Sequence, residues 1–137
     1  MAIDLQPIEA FLLAKLEPLR SPHNVRVEPM SDLVFQKAVT VSMLYLNFVA
    51  IAPSEILNFN RLTKQMIKYE VILRLQDLRS HTRAYPIIKA ISEALSGQKP
   101  VANCREIEMR EQKFLADLVA DGLWVYQLGF DFEIYGG

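Results

Sequence analysis

Cysteine is almost missing from this chain. Cys104 is the only one in 137 residues, so no disulfide can close within the chain, and neither a Cys pair nor a Cys/His cluster offers zinc spacing. Synthesis in a reducing, intracellular setting is the expectation that follows. Histidine is nearly as scarce, with His23 and His81 alone. An excess of either charge is also lacking: 15 basic and 16 acidic residues leave a formal net charge of −1. No global field draws the chain to nucleic acid or to an anionic membrane, and any such binding must be local. No glycine-rich turn joins a strand to a helix, which argues against Rossmann and P-loop nucleotide sites. The stretch from Val39 to Pro53 carries no charge, yet it falls short of a membrane span and contains Thr40, Ser42 and Asn47. The start, "MAIDLQPIEAF", has Asp4 and Glu9 where a secretory signal would have a basic start and an apolar block. No cleavage is expected there.

What remains is the composition of a folded protein, half apolar and 23% charged. No repeat, low-complexity tract or polar linker divides it, so one domain over 1–137 is expected. Ile8, Phe11, Leu12, Leu16 and Leu19 recur at helical spacing after Pro7, predicting a helix over 6–17 that ends near Pro18. "SPHN" reads as a turn, and "VRVEP" as a short strand at 25–28. Residues 38–49 read as a central strand covered on both faces, followed by a loop marked by Pro53, Asn58 and Asn60.

Period-two alternation then predicts a strand over 67–75, with Ile67, Tyr69, Val71, Leu73 and Leu75 on one face. The stripe Ala84, Ile87, Ile88, Ile91 and Leu95 predicts an amphipathic helix stopped by Gly97. Pro86 constrains its start, because a proline inside a helix costs ~3 kcal/mol. With Thr82 as N-cap it would be the fourth helical residue, and a start at Ser80 would distort the first turn. A strand to about residue 110 is followed by a long C-terminal strand in which Trp124, Tyr126, Leu128, Phe130, Phe132 and Ile134 share a face, beside 67–75. The expected fold is α+β (mixed α/β): a largely antiparallel sheet of four or five strands carrying an N-terminal and a central amphipathic helix. Ile88, Ile91, Leu95, Gly97, Trp124, Tyr126 and Phe130 are the residues expected to define it.

Polar groups gather between the 67–75 strand and the central helix, in "RLQDLRSHTRAY". Asp77 and His81 could orient a general base in a small enzyme. Arg74, Arg79 and Arg83, with Tyr85 to stack, could serve a small nucleic-acid module. Neither constellation is completed elsewhere: no nucleophile motif, paired carboxylates or cofactor box accompanies it. His81 reads as a polar turn residue, and the C-terminal aromatics as a buried sheet face. Arg74, Asp77, Arg79, His81, Arg83 and Tyr85 are therefore candidates for a subunit or partner interface, where Arg79 and Arg83 can make bidentate contacts to carboxylates.

The run from Tyr69 to Gly97, with "LRSH", "AY", an apolar helix and "ALSG" before Pro100, resembles the tail terminator (tail completion) proteins of Mu-like contractile-tailed phages. The closing "DGLWVYQLGFDF" is similar to the last strand of that family. Pro86 and the uncharged 39–53 stretch depart from its pattern. The resemblance implies a non-enzymatic protein without cofactor, metal or small-molecule substrate. It would be made in a host cytoplasm and built into a virion tail or a headless contractile injection particle. It would form a homohexameric ring on the tail tube, end tube and sheath growth, and offer a surface to the neck or head connector. Nucleic acid would be met only in passage through the ring, and no membrane is involved. Ring closure needs heterologous contacts, hence two different complementary patches on each subunit. Edge strands, the 47–61 loop and the 76–85 corner are the candidates.

Overall fold

A computed structural model describes residues 4–23, 25–29, 42–56, 63–76, 82, 84–114 and 123–135. Helix α1 spans Gln6–Leu16, with Pro7 in its first turn and the Gln6 N–H donating to Asp4 Oδ1 at 3.1 Å. Ile8, Leu12 and Leu16, at i, i+4 and i+8, are its buried stripe. The chain does not leave the helical path at Pro18. A 3₁₀ turn, Glu17–Leu19, takes Pro18 in its first positions, and a short helix, α2, runs Arg20–His23 where the sequence pointed to a non-helical turn. Proline is tolerated because it opens a new turn whose N–H groups need no helical partner.

Among the described residues, five strands form one open sheet in the order β1-β2-β3-β5-β4. They are β1 Arg26–Pro29, β2 Met43–Ile56, β3 Thr63–Gln76, β4 Glu108–Phe114 and β5 Leu123–Tyr135. The β1–β2 pair is parallel and the other three pairs are antiparallel. The fold is thus mixed α/β on a largely antiparallel sheet. β5 lies beside β3 along its whole length, from Lys64↔Tyr135 to Gln76↔Leu123. β2 is longer than its composition suggested, and residues 50–56, expected as loop, continue the strand. Bulges between Phe48 and Ala50 and between Pro53 and Glu55 absorb the irregular residues, Pro53 among them. The rest of the expected loop, 57–61, lies outside the described residues, as do 38–41 of the expected strand. Coverage on both faces holds only over Met43–Leu46, all buried; Phe48 and Val49 are 41% and 50% exposed.

Helix α3, Tyr85–Leu95, begins later than either predicted start. Pro86 stands in its first turn, where it removes no hydrogen bond, so neither a lost bond nor a distorted turn arises. Ile88, Ile91 and Leu95 are buried in the same core as Leu73, Leu75, Tyr126, Leu128 and Phe130, with Trp124 packed at its margin. Each fully buried aliphatic side chain contributes roughly 1.5–3 kcal/mol. At the helix end Gly97 takes φ +81, and its N–H donates to Ile107 O at 2.9 Å, tying α3 to the segment that leads into β4. That segment also sheathes the end of β5: Arg105 N–H donates to Glu133 O and Tyr135 N–H to Asn103 O, both at 2.8 Å. Cys104 is buried there, its thiol donating to Val101 O at 3.0 Å.

Candidate interaction surfaces

Both α1 and α3 pack on one face of the sheet, through the core that joins Ile8, Leu12, Ile88 and Ile91 to Leu44, Val71, Leu73 and Leu128. Alternation therefore sends the intervening residues to a second face. Glu70 is its hub in the middle strands. Its carboxylate accepts from Asn47 Nδ2 on β2 at 2.8 Å and from Gln127 Nε2 on β5, so one side chain braces three strands. Toward the C-terminus, Arg110 Nε donates to Asp131 Oδ1 at 2.8 Å and Arg110 also pairs with Glu108 at 2.6 Å. Glu133 lies 4.0 Å from Lys64 and 3.9 Å from Arg105, and Arg105 Nε donates to the Tyr135 hydroxyl. The hydrogen bond to Tyr135, with Glu133 nearby, holds the Arg105 guanidinium even above its ordinary pKa, and Asp131 does the same for Arg110.

Of the sequence-derived interface residues, Asp77, Arg79, His81 and Arg83 lie outside the described residues. Arg74 and Tyr85 are described, and the sheet separates them. Arg74 stands on the second face, in register with Met43 and Val125, both buried. Beside it, burial raises the Tyr45 hydroxyl pKa, while the Arg74 guanidinium, hydrogen-bonded to that hydroxyl, pulls the other way. Arg74 Nη1 is buried without a hydrogen-bond partner. Tyr85 instead opens α3 over the helix-covered face, close enough to Tyr126 to add to the upward shift that burial imposes on that phenol. Their sequence separation hid this, because strand parity decides the face of Arg74 and helix phase that of Tyr85.

Tyr85, 55% exposed, lines one end of an open groove of 440 Å³ between α3 and β4. Ile88, Lys89, Ser92 and Glu93 form the helix wall, and Met109 and Gln112 the strand wall. At the far edge, β1 covers β2 only from Met43 to Leu46. Beyond it, Phe48 and Val49 stand out at the bulge, with the Phe48 ring edge-on to Tyr69 at 5.6 Å. Sequence reasoning missed both features: the groove joins residues far apart in the chain, and the bulge interrupts the alternation that would have marked Phe48.

Among the described residues, no group of three or more His, Cys, Asp or Glu side chains could hold a metal ion. No described helix is long and apolar enough to cross a membrane. The described residues present an ion-paired sheet face, an apolar projection at one edge and a groove at the other.

No family model and no curated protein sequence matches the chain. Among solved structures, the fold is similar to a chain in the "Virion of native gene transfer agent (GTA) particle", with a TM-score of 0.67 at 13% identity, covering 93% of this chain and 94% of that one.

Proposed function

We propose that the chain is a structural assembly protein of a phage-like particle, a tail terminator that sits as a homohexameric ring on the end of the tail tube remote from the baseplate. There it ends tube and sheath growth and presents a surface to the neck or head connector. The observation that carries this reading is the end-to-end fold similarity to a component of a gene transfer agent virion. The two sequence stretches that resemble the tail terminators of contractile-tailed phages, Tyr69 to Gly97 and Asp121 to Phe132, support the finer assignment.

Such a protein acts by shape and needs no reaction, so neither Asp77 nor His81 is assigned a catalytic role. An exposed apolar pair and a groove are the kinds of surface that a ring subunit must present. Arg74 and the stretch from Asp77 to Tyr85 are assigned to contacts with a neighbouring subunit or the tube. Near-zero net charge is compatible with this, since complementary local charges set register between neighbours without a global field.

The test is electron microscopy of purified chain mixed with tail tubes, together with particles made without the gene. The reading expects protein at one end of each tube, ring-shaped in end view, and tubes of uncontrolled length when the gene is missing. A chain that stays monomeric and leaves tube ends bare at high concentration overturns it. His81→Ala should cap tubes as the wild type does, whereas an enzyme built on that imidazole would lose turnover.

A further inference from the structure

Phe48, Tyr69, Phe130 and Met109 form one cross-strand row. Phe48 faces Tyr69, Tyr69 faces Phe130, and Phe130 faces Met109, so the row crosses β2, β3, β5 and β4 at a single level. Phe48, with Val49 beside it, ends the row at one edge as an exposed projection. Met109 ends it at the other edge as a wall of the α3–β4 groove. A projection and a recess at the same level, on opposite edges of one subunit, are what a head-to-tail neighbour requires.

We propose that Phe48 and Val49 of one copy insert into the α3–β4 groove of the next, against Met109, Ile88 and Tyr85. The inference rests on the ring reading above and names one of its contacts. Backbone pairing between copies is the weaker alternative, because β1 already occupies the β2 edge at Leu44 to Leu46, the level of Gln112 and Phe114 in β4.

Area decides how the contact behaves. An aromatic side chain buries about 150–250 Å², so this projection supplies only part of the roughly 1,200 Å² that a stable pair needs. A single docking is therefore weak, and the contact holds when each subunit makes it twice in a closed ring.

The experiment uses two full-length single-cysteine additions, Phe48→Cys and Gln112→Cys, the second carrying a size tag, with buried Cys104 left in place and the wild type as background. They are mixed at high concentration under mild oxidation, alone and with tail tubes, and separated without reductant. The proposal expects a mixed Phe48→Cys/Gln112→Cys dimer in excess of either homodimer, and a ladder of closed multimers from a chain carrying both changes. No mixed dimer above the wild-type background overturns it, as does a Phe48→Cys homodimer of equal yield, which would mean a two-fold contact. Tube capping is scored in parallel. Capped tubes without the mixed bond leave the cap reading intact and remove this contact; the mixed bond with bare tube ends does the reverse.

Discussion

Gly129 on β5 faces Glu111 on β4 so closely that a Cβ at position 129 would lie 3.3 Å from the Glu111 Cβ. The β4 bulge between Met109 and Glu111 brings the edge strand in at this point. Gly129→Val should lower stability by roughly 1–3 kcal/mol in urea denaturation, the usual cost of overpacking. Gly129→Ala should cost less, because β4 is an edge strand that can shift. Glu111→Gly in the valine background should recover part of the loss; no recovery would mean that the contact is not the cause.

Glu70 links β2 to β5 through the Asn47 and Gln127 amides. Glu70→Ala leaves two partly buried donors without their acceptor, and a loss of roughly 1–3 kcal/mol is expected. Glu70→Gln should fall between, since its amide nitrogen cannot accept from a second amide. A double-mutant cycle with Asn47→Ala should show coupling above about 0.5 kcal/mol; additivity would refute the bridge.

Gly97 ends α3 with a positive φ and has open space where a Cβ would be built. Gly97→Ala therefore isolates the backbone effect, and a cost of roughly 1–2 kcal/mol is expected. Hydrogen exchange should locate the loss at the Gly97–Ile107 hydrogen bond as well as in the last turn of α3. Unchanged stability would show that another residue ends the helix.

Tyr69 sets an alkaline limit. Burial, with the Glu9 carboxylate nearby, pushes its hydroxyl from 10.0 up to about 12. The unfolded chain releases that proton near pH 10 and the folded chain holds it to about 12, so the folded state binds more protons in between. Its contribution is full below pH 10 and is lost as pH rises through that window, at about 1.4 kcal/mol per unit. Tyr45 and Tyr126 are shifted in the same direction. Tyr69→Phe should flatten the alkaline limb of a stability–pH profile; an unaltered limb would contradict the shift.

The alternations at 67–75 and 124–134 were legible because both strands bury one face, and burial writes a period of two into the side chains. The stripe of α3 was legible for the same reason, with a period of 3.6. The far half of β2 was not, because its bulges and Pro53 break that period while the backbone still pairs with β3. The first turn of α3 was misplaced because a first-turn proline is compatible with several starts, and only packing selected Tyr85. Of the six proposed interface residues, Arg74 and Tyr85 could not be sorted between faces from their spacing alone.

By itself, the sequence determined the mixed fold class and the identity of the core stripes. It also determined the scarcity of cysteine and histidine, because each of these depends on residue type and local period. The tertiary structure alone decided that Phe48 and Met109 end one row and that α3 and β4 enclose a groove. It also decided that the sheet lies between Arg74 and Tyr85. Those relations depend on strand order and register across the sheet, which long-range pairing sets and local sequence does not encode.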